Sequence, residues 1–245
     1  MKKLLFSIVF LGTTLLLAHG PNHNKADDAK KRGDYKSAVK YSLMQLGEDY
    51  DKFGEYSKET MITYGRLGIY AEKLGGYNEA LAYNFEALKI QAKLLNENDS
   101  TTATTYNNMG GIYSKQGKYK EALRYFFKSL KIQEILFGKS HRTAAITNSN
   151  IAKVYRKQGR YKEALDYYKK SLEIRQETLD KNNYSIALAH SNIGLIYFKL
   201  GKYQEALNEL GKTLKIRKNV FGKEHSFTKK AQKNIDYIKS KMVTN

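Results

Sequence analysis

TTATTYNNMGGIYSKQGKYKEALRYFFKSLKIQEILFG, residues 101–138, carries two helical patterns divided by one glycine. Thr104, Asn108, Gly111 and Lys115 stand at i, i+4, i+7 and i+11, so they share one helix face. Met109, Ile112 and Tyr113 form a neighbouring apolar face. Gly117 ends this first helix, because the left-handed conformation just past a helix end suits glycine. Tyr119 opens a second helix with the apolar stripe Ala122, Leu123, Phe126 and Leu130, continued by Ile132 or Leu136 and closed by Phe137-Gly138. The predicted unit is helix, short turn, helix, short turn.

The same unit recurs along the chain. Glycine stands at 33, 75, 117, 159 and 201, a step of 42 residues each time. Tyrosine follows two residues later at 35, 77, 119, 161 and 203, then alanine at 38, 80, 122, 164 and 206, then leucine at 46, 88, 130, 172 and 214. Such an array builds one continuous core by stacking neighbours, and it works through shape and surface. Phe53-Gly54, Phe137-Gly138 and Phe221-Gly222 close three second helices; Leu95-Asn96 and Leu179-Asp180 hold the same place in the other two. Ser57, Asp99 and Asn183 are predicted N-caps, and His141 and His225, at the matching position, are read as turn residues rather than ligands. The fixed alanines, with Gly68, Gly110, Ala152 and Gly194 on the first helices, let paired helices approach closely.

The pattern Ile151-Ala152…Tyr155…Gly159-x-Tyr161…Ala164…Tyr168…Ser171, with its copies at Met109-Gly110 and Ile193-Gly194, resembles the tetratricopeptide repeat. The longer period, with LFGKSH and VFGKEH joining units, looks like the kinesin-light-chain subclass. The resemblance spans about residues 25–232 and implies an all-α, right-handed superhelical solenoid of antiparallel helix pairs with a C-terminal capping helix. The boundaries read as 1–20 signal peptide, 21–54 degenerate N-terminal repeat, 55–222 four full repeats and 223–245 capping helix and tail. Ala231, Ile235 and Ile238 supply the apolar spacing of that cap.

In this family the first helices line the concave side. The inward stripe would be Ile62, Arg66, Ile69, Lys73; Thr104, Asn108, Gly111, Lys115; Ile146, Asn150, Lys153, Lys157; and Leu188, Asn192, Leu195, Lys199. Asn108, Asn150 and Asn192 make one ladder, broken by Arg66 in copy two. The resemblance implies that they bond the backbone of an extended peptide, an amide being both donor and acceptor. The alternative is a bond across to the next repeat. Lys73, Lys115, Lys157 and Lys199, with Lys153 and Arg156 beside them, make a basic rim that suits acidic side chains or a carboxylate. Alternatively the ladder lysines, in the last turns of their helices, stabilise helix dipoles.

Composition narrows the function further. The chain has no cysteine, which removes disulfides and thiolate metal sites. No HExxH, GxSxG or phosphate-cradling glycine loop appears, His190 stands alone within a first helix, and Glu121, Glu163 and Glu205 suit helix N-termini. The reading is therefore a non-enzymatic protein-interaction scaffold with no metal and no cofactor. Lys2, Lys3, the apolar stretch Leu4–Leu17 and the small Ala18 and Gly20 read as a secretory signal, which places the chain in the periplasm or outside the cell. An uncleaved segment would anchor it to the inner membrane instead, and membrane contact is expected only then. Formal charge is +19, but only eight of the 43 basic residues are arginine, the residue favoured for phosphate recognition. The expected partner is a protein or peptide, preferably acidic, and not nucleic acid. The other readings are a basic binder of anionic membrane or envelope polymer and a self-assembling spacer.

Overall fold

A computed structural model describes residues 21–243, so residues 1–20, read from the sequence as a secretory signal, lie outside the described residues. Eleven helices and no strand occur among those residues: α1 Pro21–Lys31, α2 Tyr35–Phe53, α3 Lys58–Lys73, α4 Tyr77–Leu94, α5 Ser100–Lys115, α6 Tyr119–Phe137, α7 Arg142–Lys157, α8 Tyr161–Thr178, α9 Tyr184–Lys199, α10 Tyr203–Phe221 and α11 Ser226–Val243. The chain divides into two compact units, Met1–Asn96 and Glu97–Asn245. Within each, every helix packs on its neighbours in the chain, which is the solenoid arrangement of antiparallel pairs. All five second helices begin at the repeated tyrosine.

The glycine step marks one turn geometry. Gly33, Gly75, Gly117, Gly159 and Gly201 have φ between +72° and +83°, where a side chain would be strained. The next residue then reaches back five positions: Lys118 N donates to Tyr113 O at 2.9 Å, and Arg160 N to Tyr155 O at 2.9 Å. This is the Schellman closure, which satisfies carbonyls otherwise orphaned at a helix end. Each first helix from α3 to α9 is capped at its other end as expected. Ser57, Asp99 and Asn183 accept from the backbone of Thr60, Thr101 and Ser185. His141 does the same through Nδ1, with its ring stacked 4.6 Å from Phe137. His225 Nδ1 likewise takes the Phe227 amide.

Close approach is bought with small residues. Ala38, Ala80, Ala122, Ala164 and Ala206 are all fully buried. Opposite them, a Cβ added to Gly110 would lie 2.7 Å from the Phe126 ring, and one on Gly194 would lie 3.1 Å from Leu210. Copy two, which has Ala71 in place of the later tyrosines, fills its core with Tyr70 one residue earlier, packed on Ala29 and Ala38 of the opening pair. At the far end Ala231, Ile235 and Ile238 bury the inner face of α11.

Two polar devices tie the stack together. Within pairs, buried Ser129 and Ser171 donate to Ala103 O and Ala145 O at 2.7 Å, and Thr213 donates to Ala187 O at 3.2 Å. Each such bond contributes about 1 kcal/mol net. Between pairs the chemistry changes along the chain. Thr63 donates to Asp49 at 2.6 Å and Thr147 to Gln133 at 2.9 Å. Two later copies replace threonine by Ala189 and Ala231, and the second-helix partner becomes Arg175 or Arg217. These guanidiniums reach across to backbone: Arg175 Nη1 donates to Ser185 O at 3.2 Å, with further bonds to the Ser171 and Ser149 hydroxyls, and Arg217 Nη1 donates to Phe227 O at 2.8 Å.

Candidate ligand groove

The first helices place the sequence-predicted residues on their outer faces. In the second unit, Ile146, Leu188 and Leu195 are exposed although apolar, and Lys115, Lys153, Lys157 and Lys199 are exposed beside them. A Cβ on Gly111 would meet nothing within 4 Å, so this face is open there. Helices α7 and α9 share one core beneath the face, through Ile151 and Val154 against Ile193 and Ile196. The first unit holds Arg66 and Lys73 on α3, between exposed Ile62 and Ile69.

The side chains in the two ladders have unlike surroundings. Asn150 Nδ2 donates to Asn107 Oδ1 on α5 at 3.2 Å, and its own oxygen accepts from Lys153 at 3.3 Å. It thus makes the cross-repeat bond that was the structural alternative. Asn108 and Asn192 are half-buried, and their amides bond no other described side chain. Lys157 reaches Ser114 O, in the last turn of α5, at 3.0 Å, so it neutralises the neighbouring helix end. Arg156 turns to the hydroxyl of buried Tyr168. Arg66 is ion-paired with Asp27 of α1 and lies 2.7 Å from His23 Nδ1. Burial raises the Asp27 carboxyl, but the hydrogen bond and charge of Arg66 outweigh it and leave Asp27 below its ordinary value.

At the centre of the second unit the field is positive. Desolvation, followed by the charges of Arg175 and Arg156, lowers the Lys153 ammonium below the ordinary lysine value. Beside α9, Asn192 and Leu195 join Phe198, Asn234 and Tyr237 around a cavity of about 270 Å³. Its far wall is the capping helix α11.

Sequence reasoning missed several polar partners. His190, read as solitary, is buried and its Nδ1 lies 2.6 Å from Glu209 Oε2. The buried hydroxyls at 129, 171 and 213 recur at the 42-residue step and were visible as a pattern. Among the described residues, no group of three His, Cys, Asp or Glu side chains could hold a metal ion. None of the helices there is long and apolar enough to cross a membrane.

A family model described as tetratricopeptide repeat matches residues 59–135, 101–177 and 142–219. The chain belongs to the tetratricopeptide repeat family. Solved structures agree on the fold of this array. BtubC (BKLC) from P. vanneervenii shares 23% identity over 80% of this chain and 78% of its own, with a TM-score of 0.73. A Podospora anserina protein described as a kinesin light chain, with nearly identical TPR-like repeats, shares 18% identity over 82% and 95%, TM-score 0.70. MamA from Desulfovibrio magneticus RS-1 shares 14% over 83% and 99%, TM-score 0.60. No curated protein matches the chain. Tetratricopeptide arrays are protein-interaction scaffolds, generally without catalytic activity, and their partners are proteins or peptides.

Proposed function

We propose that this array is an exported, non-catalytic scaffold that holds an extended, acidic peptide segment against the outer face of α5, α7 and α9. One observation carries the reading: on an exposed face, the amides of Asn108 and Asn192 lack side-chain partners and stand among uncovered Ile146, Leu188 and Leu195. An uncommitted amide presents a donor and an acceptor, which matches a peptide group. Uncovered aliphatic side chains take alternate peptide side chains, and the charges of Arg175 and Arg156 that act on Lys153 favour carboxylates there. Asn150 has a different part, because its bond to Asn107 ties α7 to α5. Export is read from the basic, apolar and small-residue order of residues 1–20, which would instead anchor the chain if it stayed uncleaved.

The test is an arrayed library of acidic and neutral peptides probed with the chain and with an Asn108→Ala/Asn192→Ala variant. Retained peptides should be acidic, and the double variant should bind them at least tenfold more weakly with unchanged helix content. Equal retention by the variant sinks the groove reading. The location is checked separately, by fractionating cells that produce the chain with and without residues 1–20.

A further inference from the structure

A second kind of concavity lies in the second unit, formed by successive second helices and the loop between them. It occurs twice, one repeat apart. The upstream crevice, about 540 Å³, runs between α6 and α8 beside Asn148 of α7. The downstream crevice, about 690 Å³, runs between α8 and α10 beside Ile186 and His190 of α9. Equal positions in the repeat line both, so each serves as a control for the other.

Their charges are opposed. The upstream crevice carries Glu134, Glu173 and Glu177 with Lys139 and Lys170. Downstream, the three glutamates become Gln176, Lys215 and Asn219, while the lysines persist as Lys181 and Lys212. Every lining carboxylate has gone and a third ammonium has come in. Lys181 and Lys215 bond no described residue. Glu209, next to the lining on α10, has both of its oxygens taken: Oε2 by His190 and Oε1 by Lys212 at 2.7 Å. Asp180, on the adjoining loop, turns its carboxylate back to accept from the Asn182 backbone N–H at 2.8 Å, apart from the Asn182 side chain. Asn219 donates to Asn182 Oδ1 at 3.2 Å, which ties α10 to the loop and leaves the Asn182 amide hydrogens uncommitted.

The remaining polar groups are therefore mostly donors, and the unpaired ammonium groups of Lys181 and Lys215, with Lys212 held by Glu209, make the field in the cleft positive. Small-molecule sites fall at roughly 300–1,000 Å³, which brackets this volume. Ammonium groups act as point charges toward phosphate. We propose that the α8–α10 crevice binds a small phosphate-bearing polyanion, held by Lys181, Lys212 and Lys215 with amide donors from Gln176 and Asn182. The crevice shares no residue with the proposed peptide face, so the two readings stand or fall separately.

The test titrates the isotope-labelled full-length chain with pyrophosphate, orthophosphate and citrate at constant ionic strength, following backbone amide shifts. Pyrophosphate should give saturable shifts at Lys181, Asn182 and Lys215 and leave Lys139, Ser140 and Glu173 still. A Lys181→Gln/Lys215→Glu variant should raise its Kd at least tenfold with helix content unchanged. The converse triple change, Glu134→Gln with Glu173→Lys and Glu177→Asn, should confer binding on the upstream crevice. Shifts that fail to saturate, or that spread equally over both crevices, mean general ion screening and overturn the proposal. So do an unchanged Kd in the double variant and failure of the converse change to confer binding. Tighter binding of citrate than of pyrophosphate overturns the phosphate assignment.

Discussion

Gly110 and Gly111 are adjacent in α5 and should respond to alanine with opposite signs. Both have helical backbone, so alanine relieves the same conformational cost at each, about 0.5–1 kcal/mol in favour of the helix. Their surroundings decide the rest. At Gly111 a new Cβ meets nothing within 4 Å, so the gain is realised in full. At Gly110 it would lie 2.7, 2.8 and 2.9 Å from three carbons of the Phe126 ring. That ring is 2% exposed and cannot swing into solvent. Ordinary contact starts near 3.4 Å, so α5 and α6 must part by several tenths of an ångström or the ring must leave its rotamer. Overpacking of this kind costs about 1–3 kcal/mol, which exceeds the propensity gain. Gly110→Ala should therefore destabilise by up to about 2 kcal/mol, while Gly111→Ala stabilises by up to about 1 kcal/mol. Urea denaturation followed by circular dichroism measures both, and Phe126→Leu in the Gly110→Ala background should restore part of the loss. Equal shifts in the same direction would refute the close approach of α5 and α6.

Two further outcomes are expected. The buried Glu209 carboxylate is raised by desolvation, but hydrogen bonds from His190 and Lys212 dominate and hold its folded value below 4.5. A depressed carboxyl contributes stability that is present above its unfolded pKa and lost as pH falls through the folded one. The stability gap between the wild-type chain and Glu209→Gln should thus be widest above about pH 5 and narrow as pH falls below about 4.3; a gap constant down to pH 3 would contradict the ion pair. At the α8–α9 junction, Arg175→Gln and Ala189→Thr should each destabilise, whereas the double variant rebuilds the Gln133–Thr147 arrangement. A double-mutant cycle should show favourable coupling of about 0.5–1.5 kcal/mol, and additive effects would count against that arrangement.

The turns were legible because their demand is local. A positive φ needs glycine whatever surrounds it, so Gly117 and its four equivalents announced every first-to-second helix turn. The alanines were legible for a related reason, since close approach admits only a small side chain. The rim was harder to read. Asn108, Asn150 and Asn192 are identical in sequence, but Asn107 of the preceding repeat satisfies only Asn150. Lys157 likewise finds Ser114 across a repeat boundary. These differences depend on which rotamers meet across two helices, and a single-repeat pattern carries no such information. Arg217 was hidden for another reason: its acceptor is a backbone carbonyl, which leaves no mark in the side-chain alphabet, and Arg175 uses such a carbonyl beside the hydroxyls of Ser149 and Ser171.

The change of joint along the chain also bears on how the array can grow or shrink. Repeats multiply and disappear by recombination between copies, which in a uniform array would be harmless. Here, excising α7 and α8 would set Gln133 against Ala189 in place of Thr147. A buried glutamine oxygen would lose its donor, at a cost of about 1–3 kcal/mol. Cutting within one joint type spares that loss. The threonine and arginine joints therefore act as keyed couplings, which let the number of units vary only between like neighbours and preserve the order in which unlike surfaces follow one another.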